Sequence, residues 1–185
     1  YQYIKGQQHG FGKCDGTNNA SCTVNGNTVY NSTIKQTIDK WYAGTTLKDN
    51  DLIADQIFCN DRAASTSDVT YSNTNYTTLT SWNSTGTQYY YGANGRLTQT
   101  TSPQLICPTE SDKFTVNTSN GNGALTYPVG FITADEVAMA GGVYGQENKT
   151  FYLYSNQNYW SMSPRYYYGY DAGANEFYIN SAGNL

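Results

Sequence analysis

The sequence predicts an α+β fold in which two amphipathic helices are joined to short, mostly antiparallel strands by long loops. Two observations support this. Two segments carry helical periodicity between a capping residue and a glycine stop, and seven short runs read as strands set between turn residues. At 185 residues the chain holds one sizeable core and is short for two, so residues 1–185 are read as a single domain.

Taken in order, "TVYNS" near residue 30 is the first strand candidate, and "NSTIKQTIDKWYAG" (31–44) the first helix. Ser32 or Thr33 supplies its capping hydroxyl, Ile34, Ile38, Trp41 and Tyr42 its apolar stripe, and Gly44 its stop. "LIADQIFC" and "KFTV" follow as strands. Between them, residues 63–101 form a long Ser/Thr/Asn/Tyr/Gly tract, read as an elaborated loop region. Its rings, Tyr71, Tyr76, Trp82 and those of "YYYGANGRL", argue that it folds back onto the body. The second helix, "TADEVAMAGG" (133–142), opens on a capping box of Thr133 and Glu136 and ends at Gly141 and Gly142, with Val137, Met139 and Ala140 as its buried side. The strand candidates flanking it are "LTYPVGFI", "TFYLYS", "NYWSMSP" and "NEFYINSAG"; in the last, alternation sends Phe177 and Ile179 one way and Tyr178 the other.

Charged residues make up 13% of the chain and the net charge is −4, which leaves no basic stripe for phosphate and excludes nucleic acid as the expected partner. Asn, Thr, Ser, Gly and 19 Tyr take the place of charge, a composition common outside the cell. No run approaches the roughly 20 apolar residues of a membrane-spanning helix, so no membrane insertion is expected. The numbering opens at Tyr1, and a processed or trimmed ectodomain, secreted or at the cell surface, is expected.

Four cysteines fit an oxidising compartment. Cys14 and Cys22 flank a short polar loop whose natural pairing is local, which leaves Cys59 with Cys107, both beside apolar residues. A metal site is the rival reading, but no Cys-x-x-Cys pair occurs and the single histidine, His9, lies in "GQQHGFG"; no metal and no cofactor is expected. Six sequons, at Asn19, Asn31, Asn75, Asn83, Asn117 and Asn148, are what this composition produces by itself.

The succession "YPVGFITADEVAMAGG", "YWSMSP" and "FYINSAGNL" resembles the C-type-lectin-like fold of bacterial surface domains. The subclass is the one shared with formylglycine-generating-enzyme homologues and the variable proteins of diversity-generating retroelements, and the chain is most similar to bacterial domains carrying "LTADE", "YWxLSP" and "FxVNSSG" signatures. The resemblance covers residues 30–62 and 88–185, and its most specific parts are the capped helix at Thr133 and the W-x-x-S-P step of Trp160, Ser163 and Pro164. Members of this class usually continue into a closing strand. Here the numbering stops at Leu185, and the expectation is a shortened chain or a closing strand supplied from elsewhere, such as a neighbouring subunit.

No catalytic constellation is expected. G-x-S-x-G and H-E-x-x-H are absent, and Asp135 and Glu136, adjacent in the first turn of a helix, read as caps. Formylglycine-generating enzymes work through cysteines near their C-terminal half, whereas this chain has none after Cys107. The E-P-N, Q-P-D and W-N-D motifs of calcium-dependent lectins do not occur either.

The remaining signal is a run of tyrosines near the C-terminus. Tyrosine offers large contact area, few rotatable bonds and a hydroxyl, and binding loops enrich it together with Ser, Gly and Asn. The resemblance, carried over by position, implies a ligand-facing loop of Arg165, Tyr166, Tyr167, Tyr168, Tyr170, Asp171, Asn175 and Tyr178. The competing reading packs alternate rings such as Tyr166 and Tyr168 inward. Tyr159 and Trp160 are expected in the core. The expected function is an adhesin-like, non-catalytic module binding a protein or glycan; the alternative is a structural subunit of a surface filament or pilus that meets neighbouring copies of itself.

Overall fold

The computed structural model describes residues 22–24, 27–29, 33–49, 53–61, 63, 65, 88–168 and 173–185. Two strands, β1 (Cys22–Val24) and β2 (Asn27–Val29), form a hairpin ahead of helix α1 (Thr33–Ala43) and a 3-10 turn, Thr46–Asp49. Then come β3 (Phe58–Cys59), β4 (Gln88–Tyr90), a helical segment that begins as α2 (Gly92–Asn94) and widens into a π-turn (Gly95–Gln99), and β5 (Lys113–Phe114). Helix α3 (Ala134–Met139) precedes the hairpin of β6 (Tyr159–Tyr168) and β7 (Gly173–Ile179). All described pairings are antiparallel: β1 with β2, β3 with β5, and a sheet ordered β4-β6-β7. The architecture is α+β.

Helix α1 forms where the periodicity put it, but its buried stripe is rotated. Tyr42 is buried as the stripe expected, but Ile34 and Trp41 are exposed, and Lys35, seven residues before Tyr42, is buried in their place. Tyr42 stacks on Tyr127 with ring centroids 5.4 Å apart, and that contact decides which side faces in. The Lys35 ammonium becomes tolerable there by pairing with Asp39 one turn on, although burial still lowers its pKa against that partner. Helix α3 opens on the predicted capping box, Thr133 with Glu136. Its inward residues are Ala134 and Val137; Met139, expected inside, is exposed because six residues make less than two turns.

Two strand candidates are turns. In "LTYPVGFI", Pro128 has no N–H for a ladder and Val129 N donates to Tyr127 O at 2.8 Å. In "TFYLYS", Tyr154 N donates to Phe151 O at 3.0 Å, burying Phe151 and turning Tyr152 outward.

Strand β6 is the spine of the sheet, and Pro164 interrupts its register with β7. Serines repair the interruption: Ser161 Oγ donates to Phe177 O at 3.0 Å, and Ser163 Oγ accepts from Ala134 N at 2.9 Å, taking up the first free N–H of α3. Met162 N donates to Ile132 O at 2.9 Å beside it. The W-x-x-S-P step thus fastens a helix start to a bulged strand. Behind it lies the main core of Ala93, Leu97, Ala134, Val137, Phe151, Phe177, Ile179 and Leu185, with a smaller cluster of Phe114, Leu125 and Met162. Phe177 and Ile179 point in and Tyr178 out, as alternation requires. Trp160, expected in the core, is nearly half exposed: it sits opposite Tyr178 on the outer side of the hairpin. At the other end of the core, Gly183 at φ +78° meets Asn148 so closely that a Cβ would lie 1.9 Å from its carbonyl oxygen. Both described sequons are tied down as well: Asn148 donates to Gly141 O at 3.0 Å, and Asn117 donates to the Asp55 carboxylate.

Two cross-links frame this core. Cys59 and Cys107 form the expected disulfide across 48 residues of sequence, a loop closure that contributes about 4 kcal/mol in the chain-entropy account. Cys14 lies outside the described residues, and so does the side chain of Cys22. The second link is ionic. Arg96, on the π-turn, forks onto Asp135 through Nε and Nη2, both at 2.9 Å, and Nη2 also reaches Asp61 at 2.8 Å. Asp135 was expected to be a helix cap; it is instead buried, holding Arg96 and accepting from Gln104 N at 2.9 Å. The Arg96 pKa is raised, since the pull of both carboxylates outweighs the burial that opposes its charge.

Burial raises the Asp61 pKa, and Arg96 and the Ala63 N–H only partly offset it. The folded chain therefore holds a proton on Asp61 more tightly than the unfolded chain does. The stability this group contributes is fully present below its unfolded pKa of about 3.9 and is lost as pH rises through the higher folded value. Urea unfolding of wild type and Asp61→Asn at about pH 4 and about pH 7 should show wild type losing ground to the variant as pH rises; a gap that grows in favour of wild type would contradict this assignment.

Candidate functional site

The tyrosines expected on a loop lie on a strand. Tyr166, Tyr167 and Tyr168 are the last three residues of β6, paired on one side with Tyr90, Tyr89 and Gln88 of β4 and on the other with Asn175, Ala174 and Gly173 of β7. Aromatic residues favour a pleated, half-buried surface, and here the flanking strands take up the backbone groups that a loop would leave to water. Tyr170 and Asp171 lie outside the described residues, as do the side chains of Tyr167 and Tyr168.

The rung through Tyr166 is described in full. Its ring meets Tyr90 edge-on with centroids 6.0 Å apart, and Asn175 Nδ2 donates to its hydroxyl at 2.8 Å. Three strands thus contribute one side chain each to a half-buried row that carries hydroxyls and no charge. The arrangement is a mixture of the two sequence readings, since Tyr166 is held by its neighbours without being sealed among them.

Arg165, expected to face a ligand, is committed to the fold. Its guanidinium carbon lies 5.1 Å, 5.5 Å and 5.6 Å from the ring centroids of Tyr144, Tyr166 and Phe177. Nη2 donates to the Tyr144 hydroxyl at 2.6 Å, and Nε to Asn94 Oδ1 at 3.4 Å. The bulge at Pro164 explains the direction: it shifts Arg165 out of register with β7 and swings the side chain over the core rings. Arg165 is therefore a positioning residue for Tyr166. Tyr178, on β7, stands apart from this row, packing on Trp160, which lies six residues before Tyr166 on β6.

Sequence reasoning missed Tyr90, Asn94 and Tyr144. For Tyr90 a signal existed, because "QYYY" and "RYYY" are both tyrosine runs of strand length. For Asn94 and Tyr144 there was none, since only the fold brings residues 94, 144 and 165 together.

At the Tyr166 rung the groups on hand are aromatic rings, phenol hydroxyls and a carboxamide. Among the described residues no three His, Cys, Asp or Glu side chains come together as a metal site. The paired carboxylates Asp61 and Asp135 are occupied by Arg96. Tyr159 keeps its proton, burial raising its pKa while the hydroxyl donates to Leu153 O at 3.0 Å. Among the described residues no helix is long and apolar enough to cross a membrane. Comparison with family models, curated proteins and solved structures gives no match for this chain.

If Arg165 sets the rung, Arg165→Ala should cost about 2–4 kcal/mol in urea unfolding, one charge-assisted hydrogen bond plus stacking on rings. Arg165→Lys should recover less than half, because an ammonium cannot reach Tyr144 and Asn94 while lying flat on the rings. Equal stability of all three proteins would refute the role.

Proposed function

We propose that this chain is a non-catalytic binding module of C-type-lectin-like fold, secreted or displayed at the cell surface, that recognises a protein or glycan through the tyrosine-rich end of its β4-β6-β7 sheet. One observation carries the reading: three successive rungs between β4 and β6 place five tyrosines in six facing positions. The rung whose side chains are described, Tyr90 with Tyr166 and Asn175, sits half-buried next to a guanidinium already satisfied inside the fold, which suits contact through area and hydrogen bonds rather than charge. The disulfide agrees with an oxidising compartment.

A second reading, a subunit of a surface filament or pilus, is favoured by one feature: among the described residues β7 pairs on one side only, so its other edge can accept a strand from a neighbouring copy.

Gel filtration over a concentration series separates the two, using wild type and a variant with Tyr166, Tyr167, Tyr168 and Tyr170 changed to Ser. The binding reading expects a monomer that retains a partner in wild type and releases it in the variant. Self-association that disappears in the variant favours assembly instead, and retention unchanged by the four substitutions rejects the tyrosine surface.

A further inference from the structure

A second surface lies at the other end of the β6–β7 hairpin. Trp160 and Tyr178 are register partners, their ring centroids are 5.3 Å apart with planes inclined at 52°, and 46% and 44% of their surfaces remain exposed. The exposed parts of the two rings are broad, weakly polar surface on which another molecule can lie.

The flanking side chains say what could. The pairings Trp160 with Tyr178 and Tyr159 with Ile179, continued one step, bring Asn158 opposite Asn180. The two-residue period of extended chain sets both on the side of Trp160 and Tyr178. Each amide has its oxygen fixed by the backbone: Asn158 Oδ1 accepts from Ser181 N at 2.8 Å, and Asn180 Oδ1 accepts from Ala182 N at 2.9 Å and Asn184 N at 3.1 Å. These bonds decide which end of each amide is the oxygen, and neither Nδ2 has a partner among the described residues. Two pre-set donors therefore border two rings tilted against each other. Residues 151–164 contain no charged side chain, and residues 175–185 contain only Glu176, which is buried.

From this combination we infer that Trp160, Tyr178, Asn158 and Asn180 form a binding site for a neutral sugar ring within an oligosaccharide. The aliphatic face of a pyranose lies on the rings, and its hydroxyl or acetamido oxygens accept from the two Nδ2 groups. Residues 151–164 and 175–185 offer no cation to a phosphorylated or acidic ligand, and two rings with two amides are too small a patch for a stable protein interface. This site does not depend on the tyrosine-rich rungs, so either can fail alone.

The test is titration of the isotope-labelled full chain with cellohexaose and, separately, chitohexaose, followed by nuclear magnetic resonance. One of the two sugars should shift the Trp160 indole N–H and the Asn158 and Asn180 side-chain amides together, saturating in the range of about 0.1–10 mM. Trp160→Ala and Tyr178→Ala should each weaken binding about tenfold, and Trp160→Phe, which keeps a ring and the hairpin, less than that. The inference is overturned if neither sugar shifts these signals, or if binding survives both alanine variants unchanged. Shifts abolished by Tyr166→Ser but not by Trp160→Ala would also overturn it, since the sugar would then sit on the tyrosine-rich rungs.

Discussion

One guanidinium connects the parts of this protein that its short elements cannot connect by themselves. Arg96 stands on the π-turn that follows β4, and it holds Asp135 in the first turn of α3 and Asp61 just beyond the disulfide cysteine of β3. No described strand but β6 and β7 exceeds three residues, and α3 has six, so neither ladder nor helix propensity provides much cooperativity. Two carboxylates on one cation, all largely buried, are expensive to desolvate and more expensive to leave incomplete. That asymmetry places the grip in Arg96, because its loss alone strands both carboxylates, whereas either carboxylate can be lost and leave the other paired.

Once α3 is fixed, β6 follows. Ser163 accepts the first N–H of α3, Met162 bonds to the segment just before it, and Ser161 closes the gap that Pro164 opens in the ladder. The bulge then throws Arg165 over Tyr144 and Phe177, leaving Tyr166 to pair across the sheet with Tyr90 and Asn175. The Tyr166 rung and the Trp160 and Tyr178 pair thus lie at two ends of one β6–β7 ladder.

Local rules were legible in the sequence wherever they acted within a few residues. The Thr133 and Glu136 capping box needs only a spacing of three, and the inward Phe177 and Ile179 need only a pleat. The Cys59 and Cys107 bridge was reached by elimination, once the short loop between Cys14 and Cys22 was read as a local pair, and the apolar setting of both thiols agreed with it. What escaped depends on partners distant in sequence. Periodicity placed Ile34 and Trp41 inside, but Tyr127 receives Tyr42 and turns α1 accordingly. Asp135 looked like a cap because nothing local announces an arginine 39 residues earlier. Trp160 looked like core because tryptophan usually is, until its register partner proved to be an outward tyrosine. The tyrosine run was visible as composition; that it forms a strand with rungs on both sides was not.

The most direct measurement is urea unfolding of Arg96→Ala, with hydrogen exchange of the α3 and β6 amides followed alongside. A clamp that holds three segments predicts a loss of about 3–5 kcal/mol and faster exchange at Val137 and Met162 together, far from the substituted side chain. An unfolding midpoint within about 0.5 kcal/mol of wild type, with exchange in α3 and β6 unchanged, would show that the frame stands without Arg96.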